Sequence, residues 1–146
     1  MPTAAKLVAA LCFAFLGWVV AIMIENTMPE SARVGRMYEV AIACGVLMGW
    51  FISGAARRAG MFEAASTGMR TAVIATVSAL LVIAVATMLN IAMRGRYRGP
   101  MDALLDIVDQ FFGFGSFVIT LPVLVTIILG GAVAGMITEA AGRRWR

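Results

Sequence analysis

Of the 146 residues, 62% are hydrophobic and only 14% charged, with a mean hydropathy of +0.93, against about 25% charged residues in a typical soluble domain. The composition excludes an ordinary soluble domain, and four apolar stretches occupy so much of the chain that no separate soluble catalytic domain fits beside them. The net charge of +4 does not point to nucleic acid, because the basic residues sit in small groups at the ends of apolar stretches, as topology signals rather than a phosphate-binding patch.

The first apolar stretch, 7–24, follows Lys6 and is closed by Glu25. A signal peptide has the same positive start and apolar middle, but no small-x-small cleavage motif follows, so an uncleaved first span is expected. Ala10, Ala14, Gly17 and Ala21 fall on one face, a small-residue stripe suited to close helix contact. Pro29, Ser31 and Gly35 then interrupt any helical pattern. The second span is expected over 40–56, closed by Arg57 and Arg58, with Gly45 and Gly49 in a GxxxG pair. In an antiparallel hairpin Gly45 comes level with Gly17, and Gly49 with Ala14, so the first two spans are expected to cross there.

After a link over 57–70, the stretch 71–93 runs without a charge, glycine or proline. At about 1.5 Å per residue it can cross a hydrocarbon core of about 30 Å. Ala72, Thr76, Ala79, Ala86 and Asn90 line one face, while Ile74, Val77, Leu81, Val85 and Met88 lie opposite. The small face wants a helix and the bulky face wants lipid.

Arg94, Arg96 and Arg98 follow. Over 101–112, Asp102, Asp106 and Asp109 line one face and Leu104, Leu105, Val108, Phe111 and Phe112 the other, an amphipathic interfacial helix too short to span. The three carboxylates could ligate a hard cation, though without a glycine-rich calcium loop a solvated acidic face is the simpler reading. The residues 113–116 are expected to end that helix. The fourth span is expected over 117–138, with Pro122 near its start and Gly131 and Gly135 in a second GxxxG pair, level with Ala75, Thr76 and Ala79.

The expected fold is therefore all-α and integral to the membrane, one domain over 1–146, with four transmembrane helices in two antiparallel hairpins. Seven Lys and Arg fall on the side of both termini and five on the other, which places the termini in the cytoplasm. The chain has no histidine, the commonest proton shuttle and metal ligand. Cys12 and Cys44 lie inside spans and, on this register, about 10 Å apart in depth, beyond disulfide reach. No span has a carboxylate or base in its middle, which speaks against a self-sufficient pump, and neither nucleotide loops nor nucleophile motifs are present. No enzyme, cofactor or metal is expected.

Asn90 is the only amide within a span. An unpaired amide in hydrocarbon is costly, so it needs a partner, and Thr120 on the fourth span comes to a similar depth. The simpler reading is structural glue. The sharper one is that Asn90, with Arg94 one turn away, forms an outward-facing anion contact for an oxyanion.

Met1-Pro2-Thr3-Ala4-Ala5-Lys6-Leu7-Val8-Ala9-Ala10, Gly49-Trp50, Tyr97-Arg98-Gly99-Pro100-Met101 and Gly142-Arg143-Arg144-Trp145-Arg146 resemble the TrgA family, small bacterial membrane proteins associated with tellurite resistance. The resemblance runs from end to end through short, non-catalytic motifs. It implies a bacterial inner-membrane protein with a part in handling tellurite. Two other classes stay open: an accessory or assembly subunit docking on a larger membrane complex, and a small dimeric exporter, which would normally keep an acidic residue inside its first span where this chain has Glu25 at the end. The expected partners are the lipid bilayer and either a second copy or a larger membrane complex.

Overall fold

The computed structural model describes residues 4–28, 35–54, 60–95 and 99–144. The described residues form helices and no strand: α1 (Ala4–Thr27), α2 (Met37–Met48) running on into a π turn (Gly49–Ser53), α3 (Met61–Met93), α4 (Pro100–Val118) and α5 (Leu121–Arg144). Runs of Ala, Leu and Met favour helix throughout. Pro100 is preset for the first turn of α4, and Asp102 beside it complements the helix dipole. The π turn is closed by Gly54 N–H donating to Gly49 O at 2.8 Å. By length and composition Ala5–Thr27, Met61–Met93 and Leu121–Arg144 can each cross a membrane, while Met37–Ser53 is a shorter apolar helix.

Four of the helices form a ring in the order α1, α2, α3, α5, and α1 and α3 face each other across the middle with little direct contact. Gly17 lies on Ala41 and Gly49 on Ala9, so α1 and α2 are antiparallel. Leu16 meets Gly130, and the Thr126 hydroxyl lies 3.3 Å from the Met23 sulfur, so α1 and α5 are antiparallel too. Gly68 and Ala64 meet Gly131 and Gly135, which sets α3 against α5. The core runs along the ring's axis through Phe13, Val20 and Ile24 of α1, Ala72, Leu80 and Ile83 of α3, and Val123 and Ile127 of α5. At one end α4 packs chiefly against α3, with Phe114 buried in the same core.

Several boundaries differ from expectation. The helix expected over 71–93 begins at Met61, so Glu63 and Arg70 ride on helix rather than in a link. Both side chains are exposed, and a long Arg can keep its head group in a polar layer while its stem follows the helix. The amphipathic helix runs through 113–116 to Val118, because a helix-interior glycine costs only about 1 kcal/mol. The chain breaks instead at Ile119 and Thr120. Pro122 lacks the N–H that would bond Val118 O, and its ring crowds that carbonyl. The helix expected from 117 accordingly begins at Leu121.

Both helix pairings also change register. Gly45 sits on Phe13 and Ala14 rather than level with Gly17, and Gly49 on Ala9 and Phe13 rather than Ala14, a shift of one turn. Gly131 meets Gly68, Met69 and Ala72, and Gly135 meets Ala64 and Gly68, two turns from the expected Ala75, Thr76 and Ala79. The new register of the first pair brings Cys12 and Cys44 to within about 3 Å in depth; both are free thiols.

Candidate functional site

The glycine contacts are the most sharply built feature. At Gly17 an added Cβ would stand 2.6 Å from Ala41 O; at Gly49, 2.8 Å from Ala9 O; at Gly45 it would overlap Phe13 O. At Gly68 it would overlap Gly131 O and lie 2.8 Å from the Cα and N of Gly135. In every case the neighbour is backbone, which cannot rotate aside. Ala14 touches this seam through its N–H edge beside Gly45. Gly68 and Gly54, whose Cβ would stand 2.8 Å from Lys6 Cα, are contact glycines that sequence reasoning did not single out. Ala64, Gly68 and Ala72 did carry the signal, a small-xxx-small run interrupted only by the charge at Arg70.

The polar residues are not gathered in one place. Asn90 is exposed near the end of α3, Arg94 is exposed in the turn after it, and Thr120 sits half-buried in the corner between α4 and α5. No hydrogen bond joins Asn90 to Thr120 among the described residues. The reason is length: α5 begins only at Leu121, so on the observed register it covers the small face of α3 up to about Leu80, leaving Ala86 and Asn90 uncovered. Asp102 and Asp109 are exposed on α4 and Asp106 is half-buried. Among the described residues no group of three His, Cys, Asp or Glu could hold a metal ion.

Three threonine hydroxyls inside the ring are satisfied by their own helices. Thr71 donates to Thr67 O at 2.7 Å, Thr76 to Ala72 O at 2.9 Å and Thr138 to Ala134 O at 2.8 Å. Such i−4 bonds let a polar side chain sit in an apolar interior without a partner on another helix. Among the described residues the buried polar side chains are Ser53, Thr71 and Thr138, none of them ionisable.

Between α1, α2 and α3 lies a narrow crevice of about 40 Å³, lined by Phe13, Gly17 and Ile24, by Ala41, and by Thr76 and Ile83 among others. Thr76 supplies the one hydroxyl in its lining. With a single hydroxyl and otherwise apolar walls, the crevice offers a water molecule too few polar partners to hold it well. On the outside of α3, Leu81, Val82, Val85, Ala86 and Leu89 line a shallow apolar groove, where Ala86 leaves a depression between larger neighbours.

The chemistry on offer is thus close helix packing, a lipid-compatible exterior and separately exposed polar side chains at Asn90, Arg94, Asp102 and Asp109. No protein family, characterised protein or solved structure matches this chain.

Proposed function

We propose that the chain is an integral protein of the bacterial inner membrane, of the TrgA kind, with a role in tellurite resistance. It crosses the bilayer four times, through α1, Met37–Ser53, α3 and α5, with both termini cytoplasmic. The observation that supports the spanning reading best is the exterior of the ring. Leu11, Phe51, Val77 and Leu129, from four different helices, are among many large apolar side chains standing outward, while the glycine seams hold the helices together from within. Without a hydrophobic drive between helices in lipid, such close backbone contact is what holds a bundle. The tellurite role rests on the resemblance of the chain ends and of the Gly49-Trp50 and Tyr97–Met101 segments. An apolar interior with self-satisfied hydroxyls supports exclusion of the oxyanion, or assistance to a partner, over an aqueous path through the bundle.

Survival and cell-associated tellurium are to be compared in cells with and without the protein, at matched growth. Loss of the protein should lower survival and change the tellurium retained per cell. Equal survival and equal tellurium would refute the role.

A second reading, an accessory or assembly subunit, is favoured by the groove on α3, whose Ala86 depression could seat a partner helix. Copurification of a stoichiometric partner from mild detergent supports that reading, and a lone bundle counts against it.

A further inference from the structure

Gly17, Gly45, Gly49, Gly68, Gly131 and Gly135 are each pressed against another helix; two glycines inside α4 are not. At Gly113 and Gly115 an added Cβ meets nothing within 4 Å. In an exposed helix interior glycine in place of alanine costs about a factor of five in the helix equilibrium, and close approach, the usual compensation, is missing at both positions. Between them Phe114 is only 8% exposed, with Phe111, Phe117 and Val118 packed on the core beside it. Before them, none of residues 100–112 is buried. The helix therefore has a deeply held end and a more shallowly held arm, whose side toward the bundle is half-buried, joined by a soft turn.

The arm's surface indicates what it rests on. Met101, Leu104, Leu105, Val108 and Phe112 form one stripe and are 49–71% exposed. Asp102 and Asp109 are exposed on the next stripe round, while Ala103, Ile107 and Gln110, toward the bundle, are half-buried. Most of the arm's apolar surface thus faces away from the protein. Met93 at the end of α3, Ile119 in the break before α5 and Leu121 at its start are exposed as well. An apolar stripe bordered by carboxylates suits a helix lying in a lipid–water boundary.

We infer that residues 100–112 are an arm resting on the bilayer surface, with the Met101–Phe112 stripe in the acyl boundary, Asp102 and Asp109 in water, and Gly113 and Gly115 a soft turn at which it changes its tilt against α3. The inference rests on the spanning reading above.

The full chain in phosphatidylcholine vesicles tests it. Carbonate extraction comes first: release from the vesicles overturns the spanning reading and the arm with it. For the inserted protein, spin labels at Val108→Cys and Asp109→Cys, with Cys12→Ser and Cys44→Ser, should differ. The label at 108 should be reached preferentially by oxygen and the label at 109 by a water-soluble nickel complex. Equal access of nickel to both, or a label at 108 shielded from both reagents, overturns the lipid placement alone. The soft turn is tested by amide exchange in the double variant Gly113→Ala, Gly115→Ala, where nothing clashes. Exchange over 104–112 should slow by roughly thirtyfold, two alanine-for-glycine steps, while 121–138 stays unchanged. Unaltered exchange over 104–112 overturns the soft turn.

Discussion

Replacing Gly68 by alanine adds one methyl group at the closest approach between α3 and α5. That methyl would overlap Gly131 O and stand 2.8 Å from the Cα and N of Gly135, where carbon atoms prefer about 3.5–4.0 Å. The helices must part by roughly 1 Å, since backbone lies on both sides and no rotamer can yield. Overpacking of this kind costs about 1–3 kcal/mol. With backbone on both sides the clash falls at the upper end, about 3 kcal/mol, and alanine returns about 1 kcal/mol through its better helix propensity, so the net loss should be about 2 kcal/mol. Gly113→Ala receives the propensity gain without the clash and should be neutral or stabilised by up to about 1 kcal/mol. Unfolding of detergent-solubilised protein by increasing mole fraction of sodium dodecyl sulfate, followed by circular dichroism, compares the two on one scale. The reasoning predicts opposite directions. If Gly68→Ala is as stable as the parent, the α3–α5 contact is not where the structure places it.

Pro122→Ala restores a donor for Val118 O and removes the ring that crowds it, so α4 and α5 should merge into one straight helix and pull Phe114 out of the core; a near-native exchange pattern at 114–118 in this variant would show that something else bends the chain. Asn90→Leu should leave protein abundance and detergent stability within about 0.5 kcal/mol of the parent, as expected of a surface change, because Asn90 is exposed and no hydrogen bond ties it to Thr120. Resistance lost at normal abundance would mark an oxyanion contact, and a stability loss above about 1 kcal/mol would restore the glue reading. Reporter fusions at Asp106 and after Arg146 should appear on opposite sides of the membrane, with the carboxyl-terminal one cytoplasmic; a periplasmic carboxyl terminus reverses the orientation.

The helical class and the small-residue faces were legible because hydropathy and residue size act locally. Gly45, Gly49, Gly131 and Gly135 stood out as GxxxG pairs, and each meets backbone across a helix pair. Their partners did not stand out. Aligning helices by their charged ends assumes that charge marks the helix end, yet Arg70 and Glu63 lie well inside α3, and that assumption moved the α3–α5 register by two turns and hid Gly68. Breakers misled in a similar way. Glycine merely weakens a helix, whereas proline removes a donor and adds a clash, so the break falls by Pro122 and not over 113–116. Asn90 was paired with Thr120 on the premise that a small face is covered along its whole length. The start of α5 at Leu121 is a tertiary fact that no local pattern encodes.

In the proposed four-span arrangement, the unequal lengths of neighbouring helices have a consequence for the surrounding lipid. At about 1.5 Å per residue, the 33 residues of α3 extend about 50 Å, while α2 and its π turn, of 12 and 5 residues, reach only about 25 Å. A hydrocarbon core of about 30 Å is thinner than the first and thicker than the second. On the α2 flank the leaflets must pinch inward by a few ångströms; on the α3 flank the helix leans or protrudes. Each ångström of mismatch costs a fraction of a kcal/mol, so the bundle sits in a wedge of its own making, and thinner patches of membrane, or neighbours that share the same pinch, become its preferred surroundings.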